Sequence, residues 1–445
     1  MDTTTSRARE WLERRYARRP DGSYLAHQPI HGVSTASSEP HAFLRMARTL
    51  QILSVLAGRP FASAIDVGGG EGYLAAILRD LTGSDVRSVD LSVEACHRAW
   101  ELFGIQGYSA EAARLPFPDN AFDLAISSEV IEHLAQPVVA ISELVRVSRR
   151  YVLITTEEAC LTGELERRLR MAMIETAYPH AERNWFTPSD FRKLLGEGVG
   201  LCSQRLELSQ HTVDWLSKQN LSRPQVDALL GHLTATPRLD AAHKGLVVVL
   251  DKQAPTGGLE RESRRDLELL EAWRERALDR LISGPAARPA AGLPDFGGNT
   301  IGDLLGCPDC HGTIAPSQDR LACSQCGRVY PVIDGVPVLL GCAPVLREAE
   351  EESIRLLSGG EPRRAKVVRR MIARMHGSRP MRAPGMKRSA AGMTLRGLLF
   401  LSRAESVGTK ARRAHARLRG ASPADLAELT KALTLLPPED EAATV

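Results

Sequence analysis

The acids Asp66, Asp90 and Glu111 and the string Glu129-Val-Ile-Glu132-His133 close or follow successive short apolar runs. A carboxylate offers two acceptor oxygens, so an acid at a strand end can take both hydroxyls of a ribose. Asp66 is followed by Gly68, Gly70 and Gly72 at alternate positions. Glycine has no Cβ, so the backbone there can turn sharply and approach a ligand. A helix starting near Gly72 would aim unpaired N–H groups at that ligand. The spacing is not the G-x-G-x-x-G that seats a dinucleotide pyrophosphate. His133 is the residue best placed to act as a base near neutral pH. A second chemistry belongs to Cys307-Pro-Asp-Cys310 and Cys323-Ser-Gln-Cys326, two knuckles separated by twelve residues. Four thiolates can surround one Zn²⁺ tetrahedrally with no open position, which makes a structural centre.

The elements that must position these groups alternate. A strand at 62–67 leads through the glycines to a helix at 73–81, a strand at 86–90 and a helix at 93–103 capped by Ser92. Further strands are expected near 105–109, at 122–127 and at 151–155, with a helix at 138–147. Such alternation implies an α/β fold with a doubly wound parallel sheet, whose ligands gather at the strand carboxyl ends. An amphipathic helix at 41–58 precedes it, and strands at 201–208 and 245–250 follow, with insertions at 157–185 and 211–238. The N-terminal basic helix (6–19) and the loop holding His27 and His31 form a candidate lid.

D-x-G-x-G-x-G resembles motif I of the class I S-adenosylmethionine (SAM) methyltransferases. The run from Glu111 through Leu115-Pro-Phe117 and Asp119 to Phe122-Asp123 looks like the signature of their type 11 family. The resemblance implies a Rossmann-like seven-stranded sheet closed by an antiparallel hairpin. It implies that Asp66, Gly68, Gly70, Gly72, Asp90, Leu91, Glu111, Ala112 and Glu129 bind the cofactor, with Glu111 on the adenine amino group. It makes His133, Glu129 and Glu132 the catalytic candidates. E-x-x-E-H also resembles a divalent-metal site of some O-methyltransferases, so Mg²⁺ at Glu129, Glu132 and His133 is a further candidate, completed by His180 or Glu182. The chain has no Asn-Pro-Pro-aromatic string after the fourth strand, which speaks against methylation of an exocyclic base amine. The context of the cysteines, with Tyr330-Pro-Val-Ile-Asp-Gly-Val-Pro-Val338, resembles the small zinc-ribbon subunit that activates tRNA, rRNA and release-factor methyltransferases. There the ribbon is a separate chain that adds a strand to its enzyme.

Composition bounds the rest. The 445 residues, 43% of them hydrophobic, suffice for more than one domain. No apolar run is long enough to span a membrane, and Met1 to Arg7 lacks a signal-peptide core, so a cytoplasmic protein is expected. Residues 345–445 hold 20 Lys+Arg against 11 Asp+Glu, a net +9, which leaves −6 elsewhere in a chain of +3. The expected organisation is a cap segment (1–40), a methyltransferase domain (41–253), a helix and linker (254–299), a zinc ribbon (300–344) and a basic helical tail (345–445). The leading expectation is O-methylation of a small or glycosylated metabolite. The alternatives are an RNA-modifying methyltransferase that uses ribbon and tail to hold RNA, and a SAM-binding scaffold without catalysis.

Overall fold

The computed structural model describes residues 3–22, 26–27, 45, 48–49, 52–53, 55–56, 59–157, 183–184, 186–196, 200–208, 243–253, 304–317, 320–342 and 346–375. His31, His180, Glu182, the second insertion, the linker helix and the tail beyond residue 375 lie outside them.

The central strands form where apolar residues run unbroken. β1 (Ser63–Val67), β2 (Asp85–Asp90), β3 (Gly107–Ala110), β4 (Phe122–Ser128) and β5 (Ser148–Glu157) are joined by α2 (Tyr73–Thr82), α3 (Val93–Phe103) and α4 (Pro137–Val147). Strands covered on both faces need such runs, and Ala64, Ile65, Leu124 and Ile126 are fully buried. β1 to β5 pair in parallel. β7 (His243–Asp251) pairs antiparallel with β5, and β6 (Gly200–Leu208) pairs antiparallel with β7, as expected of the closing hairpin. α5 (Pro188–Leu195) precedes β6 and begins with a reciprocal capping box between Thr187 and Asp190.

The sheet does not stop at seven strands. Its order is β6-β7-β5-β4-β1-β2-β3-β11-β10-β9-β8, eleven strands in all. The cysteine segment supplies β8 (Ile314–Ser317), β9 (Arg320–Cys323), β10 (Val329–Ile333) and β11 (Val336–Leu339). β11 lies parallel to β3, with Val338 opposite Ser109 and Leu339 opposite Ala110. The cysteine segment therefore extends the central sheet from within the same chain.

Two further helices, α6 (Leu346–Ser358) and α7 (Pro362–Met375), pack on α4 and α5. Their apolar face, with Ile354, Leu357, Val368, Met371 and Met375, joins one core that also holds Ile65 and Ile154 of the sheet and Leu305 and Tyr330 of the ribbon. This part of the basic tail is integral to the fold.

At the other side, α1 (Thr3–Tyr16) lies across α3. Leu12 and Tyr16 pack with Ala95 and Leu91. Glu13 accepts hydrogen bonds from Ser92 Oγ (2.7 Å), Val93 N (3.0 Å) and Glu94 N (3.1 Å), so a neighbouring helix caps α3 as well as Ser92 does. A carboxylate satisfies N-terminal N–H groups and meets the positive end of the helix dipole.

Candidate active site

A cavity of about 440 Å³ opens at the carboxyl ends of β1, β2, β3 and β4. That size suits a ligand of some tens of atoms. Its floor is the glycine turn. Gly68 and Gly70 have φ of 79° and 53°. A Cβ on Gly68 would lie 2.4 Å from Val130 Cγ2, and one on Gly70 would lie 2.9 Å from the Tyr16 hydroxyl. The turn is tied to β2 by Gly68 N and Gly69 N, which both donate to Val89 O at 2.7 and 3.1 Å. Gly72 differs from expectation. It does not line the cavity; its absent Cβ makes room for Ala99, 2.8 Å from where that carbon would sit. Its role is to start α2 at φ 80° and let α3 approach.

Asp66, Asp90 and Glu111 all line this one cavity, with Leu91, Ala112 and Glu129. Asp90 is buried; its Oδ1 accepts from Ser92 N at 2.9 Å and its Oδ2 from Gly70 N at 3.0 Å. Burial pushes its carboxyl up to about 6, although the backbone donors of Ser92 and Gly70 pull the other way. Asp66 is 2% exposed and its Oδ2 is buried without a hydrogen-bond partner, as is Ser88 Oγ beside it. Burial first, and the nearby Asp90 charge second, push Asp66 up to about 7. Orphaned acceptors in a concave site are costly unless a ligand or water supplies donors.

The E-x-x-E-H string divides. Glu129 stands in the left-handed region at φ 55°, held by its N–H, which points to Thr155 O (3.0 Å) and Thr155 Oγ1 (3.1 Å). Such a conformation costs free energy in a residue with a Cβ and persists where neighbours impose it. Its carboxylate lies 3.4 Å from Arg48 Nε. His133 lines the cavity too. Glu132 is 2% exposed and accepts from Thr156 Oγ1 at 3.0 Å. The three side chains therefore do not form the expected Mg²⁺ ligand set: among the described residues the cysteine quartet is the one group of three or more clustered ligand atoms.

The roof was only outlined by sequence. Thr5, Ala8, Leu12, Tyr16 and His27 line the cavity from above. His27 N donates to Glu71 Oε1 and Oε2 at 3.0 and 3.1 Å, and its ring packs edge-on against Trp11 and Tyr16. Burial, then Arg15, Arg45 and His133, depress its imidazole to about 3. Glu71 lay unread inside the glycine motif, and Arg45, Arg48 and Gln136 were missed as lining residues. No local signal marks them, because their role depends on which elements meet.

In the ribbon, Cys307 Sγ lies 3.7 Å from Cys326 Sγ and Cys310 Sγ lies 3.5 Å from Cys323 Sγ, with all four sulfurs within 4.8 Å of one another. Zn–S bonds of ~2.3 Å in a tetrahedron put sulfurs about 3.8 Å apart, so the quartet fits such an ion. Tyr330 Oη lies 3.0 Å from Cys307 Sγ and can donate to it. The knuckle also grips the loop after β3. Gly306 N donates to Pro116 O at 2.9 Å, and Arg114 reaches Asp309 Oδ1 at 3.4 Å and the Cys342 carbonyl. Arg114 N in turn donates to Glu111 O at 2.8 Å.

Comparison with known proteins bears on this geometry. The type 11 family, described as a methyltransferase domain, matches residues 65–153. The malonyl-[acyl-carrier protein] O-methyltransferase of Salmonella typhimurium is 29% identical over 166 residues, which is 35% of this chain and 66% of that protein. A tocopherol O-methyltransferase of Oryza sativa subsp. japonica, so named as probable, is 30% identical over 171 residues, 34% of this chain and 44% of that protein. The chain thus spans less than two thirds of the length of these relatives. Among solved structures, geranyl diphosphate C-methyltransferase of Streptomyces coelicolor aligns with a TM-score of 0.38 at 14% identity, over 56% of this chain and 98% of that one. A Haloferax volcanii complex of the Trm112 methyltransferase activator with a methyltransferase aligns at 0.32 and 14%, over 48% and 92%. No described helix is long and apolar enough to cross a membrane. Residues 65–153 are thus a methyltransferase domain of the type 11 family, within the class I enzymes that use SAM.

Proposed function

We propose that this chain transfers a methyl group from SAM to an oxygen of a small-molecule acceptor. The observation that carries the reading is the meeting of Asp66, Asp90 and Glu111 with the glycine turn in one cavity. Asp90 would accept the ribose hydroxyls, Glu111 the adenine amino group, and Gly68 to Gly70 leave room for the methionyl part. SAM, when bound, supplies a methyl group on a positively charged sulfur. The chain's own work is to orient the acceptor in line with that methyl and to keep water out, and orientation alone can supply ~7 kcal/mol or more of the barrier. A hydroxyl acceptor must also give up a proton, and His133, beside the cavity, is the group placed to take it. The cysteine quartet would hold a structural Zn²⁺ that stabilises the ribbon.

A second reading has one observation in its favour. Arg363, Lys366 and Arg370 are exposed along α7, a cationic face suited to RNA phosphates. The test that separates these readings is transfer of radiolabelled methyl to RNA, protein and metabolite fractions. Label in the metabolite fraction supports the proposal, and label confined to RNA replaces it with the second reading. No transfer, with SAM still bound, would leave a non-catalytic scaffold.

A further inference from the structure

The N-terminal helix carries a hydrogen-bond donor into the cavity and leaves it unused. Tyr16, the last residue of α1, is 5% exposed and lines the cavity. Its ring is fixed by packing. Leu12 and Tyr16 cluster with Ala95 of α3, and the His27 ring meets that of Tyr16 edge-on at 5.4 Å. Glu13, three residues before it, fastens α1 to the N-terminus of α3. The hydroxyl stands over Gly70, 2.9 Å from where a Cβ would lie, and Gly70 N is a donor to Asp90 Oδ2 at 3.0 Å. Glycine at 70 is what lets the phenol come so close to the turn. The bond from Arg98 Nε at 3.5 Å ends on the carbonyl oxygen of Tyr16, and among the described residues none takes the phenol proton. Burial, then the charges of Asp90 and Glu71, push the phenol well above its ordinary pKa, so it keeps that proton. A donor withdrawn from water without a partner is costly until a ligand accepts from it.

Resting on the reading that Asp90 takes the ribose hydroxyls of SAM, we propose that Tyr16 is a further cofactor-binding residue, whose phenol donates to a ribose hydroxyl that in turn donates to Asp90. A hydroxyl has one proton and two lone pairs, so a ribose hydroxyl bound only to a carboxylate leaves its acceptor side empty. Tyr16 fills that side, and in such a chain each hydrogen bond polarises the next. A ring already held by packing loses little freedom when the ligand arrives. The N-terminal helix, read from sequence as a candidate lid, then belongs to the cofactor site itself.

The test is calorimetric titration of the full chain and of its Tyr16→Phe variant with S-adenosylhomocysteine (SAH) and with the 2′-deoxy and 3′-deoxy analogues of SAH. Phe keeps the packing and removes only the hydroxyl. The variant should bind SAH about fivefold more weakly, the effect of one neutral hydrogen bond. The loss should shrink below about twofold for the analogue that lacks the hydroxyl Tyr16 reaches, and persist for the other. Without ligand, the variant should melt at or above the temperature of the native chain, because no partner inside the chain is lost. SAH affinity within about twofold of the native value overturns the inference. So does an equal loss with SAH and both analogues, which would assign the phenol to the adenine or methionyl part of the cofactor. A melting temperature of the unliganded variant lowered by more than about 2 °C also overturns it, since the hydroxyl would then serve the fold. Failure of SAH to bind the native chain would instead remove the methyl-transfer reading itself.

Discussion

Asp309→Asn should weaken cofactor binding from inside the zinc knuckle. Asp309 stands between Cys307 and Cys310, accepts from Cys342 N at 2.7 Å, and pairs with both Arg328 and Arg114. The side chains of Arg114 and Asp309 are 3% and 10% exposed. Breaking a pair so buried costs about 3–5 kcal/mol when a charge is left uncompensated. Asn keeps an acceptor for Cys342 N, and Arg328 is 32% exposed and can turn to water. The expected loss is therefore about 2–3 kcal/mol. Arg114 closes the turn whose first residue is Glu111, so part of that loss falls on the wall of the cofactor cavity. If half does, the SAH dissociation constant rises about tenfold, the equivalent of ~1.4 kcal/mol. Calorimetric SAH titration of the variant checks this, with metal analysis alongside to establish that zinc is retained. A lowered melting temperature with SAH affinity within twofold of the native chain would refute the coupling and reduce the clamp to a stability element.

Other outcomes are expected. Asp90→Ala should weaken SAH binding at least tenfold by calorimetry, because two ribose hydroxyls lose their acceptor; unchanged affinity would remove the ribose assignment. Metal analysis should find one zinc per chain, and the Cys307→Ser, Cys310→Ser double variant should have none; full zinc in that variant would displace the quartet as the site. The carboxyls of Asp66 and Asp90 are raised to about 7 and about 6 by burial, so the folded chain without cofactor holds protons that the unfolded chain has lost. Its stability should fall as pH rises from about 4 to about 7. In the proposed site ribose hydroxyls would donate to the ionised carboxylate of Asp90, so SAH should bind more tightly at pH 7.5 than at pH 5 and release protons. Calorimetry in buffers of different ionisation enthalpy reads that release, and proton uptake would contradict the sign.

The local architecture was largely legible because burial leaves a periodic trace. The helix expected at 93–103 is α3, residue for residue, and its Ser92 cap is in place. The five parallel strands differ from expectation by a few residues at their ends. What periodicity reports is that a face is covered, not what covers it. β3 and β11 are each wholly buried, yet neither sequence names the other, more than two hundred residues away. The roof of the site was hidden for the same reason: Tyr16 reads as one apolar position of a basic helix, and only tertiary structure puts its hydroxyl over Gly70. Glu129 was found by its motif, but its positive φ has no signature, since glycine or asparagine would ordinarily mark it. Gly72, expected as a ligand contact, lets Ala99 approach, and in sequence a glycine needed for helix packing looks the same as one needed for a ligand.

The buried edge also explains why a ribbon belongs on this chain. In the seven-strand arrangement β3 is the last strand, four residues long, and all four are buried. An edge strand left open exposes unpaired N–H and C=O groups and invites pairing with other chains. Here β11 covers that edge, and Val336 and Val338 pack on Val93 and Cys96 of α3, the helix whose N-terminus lies beside Asp90. Covalent attachment makes this pairing intramolecular, so its effective concentration is set by the connecting chain rather than by the supply of a separate subunit. A metal held by the cysteine quartet would bear on the wall of the cavity through two routes, the β3–β11 pairing and the Asp309–Arg114 clamp. If the quartet holds zinc as proposed, its removal should therefore loosen the Glu111 wall of the cavity more than the glycine turn, which is tied to β2 through Val89 O.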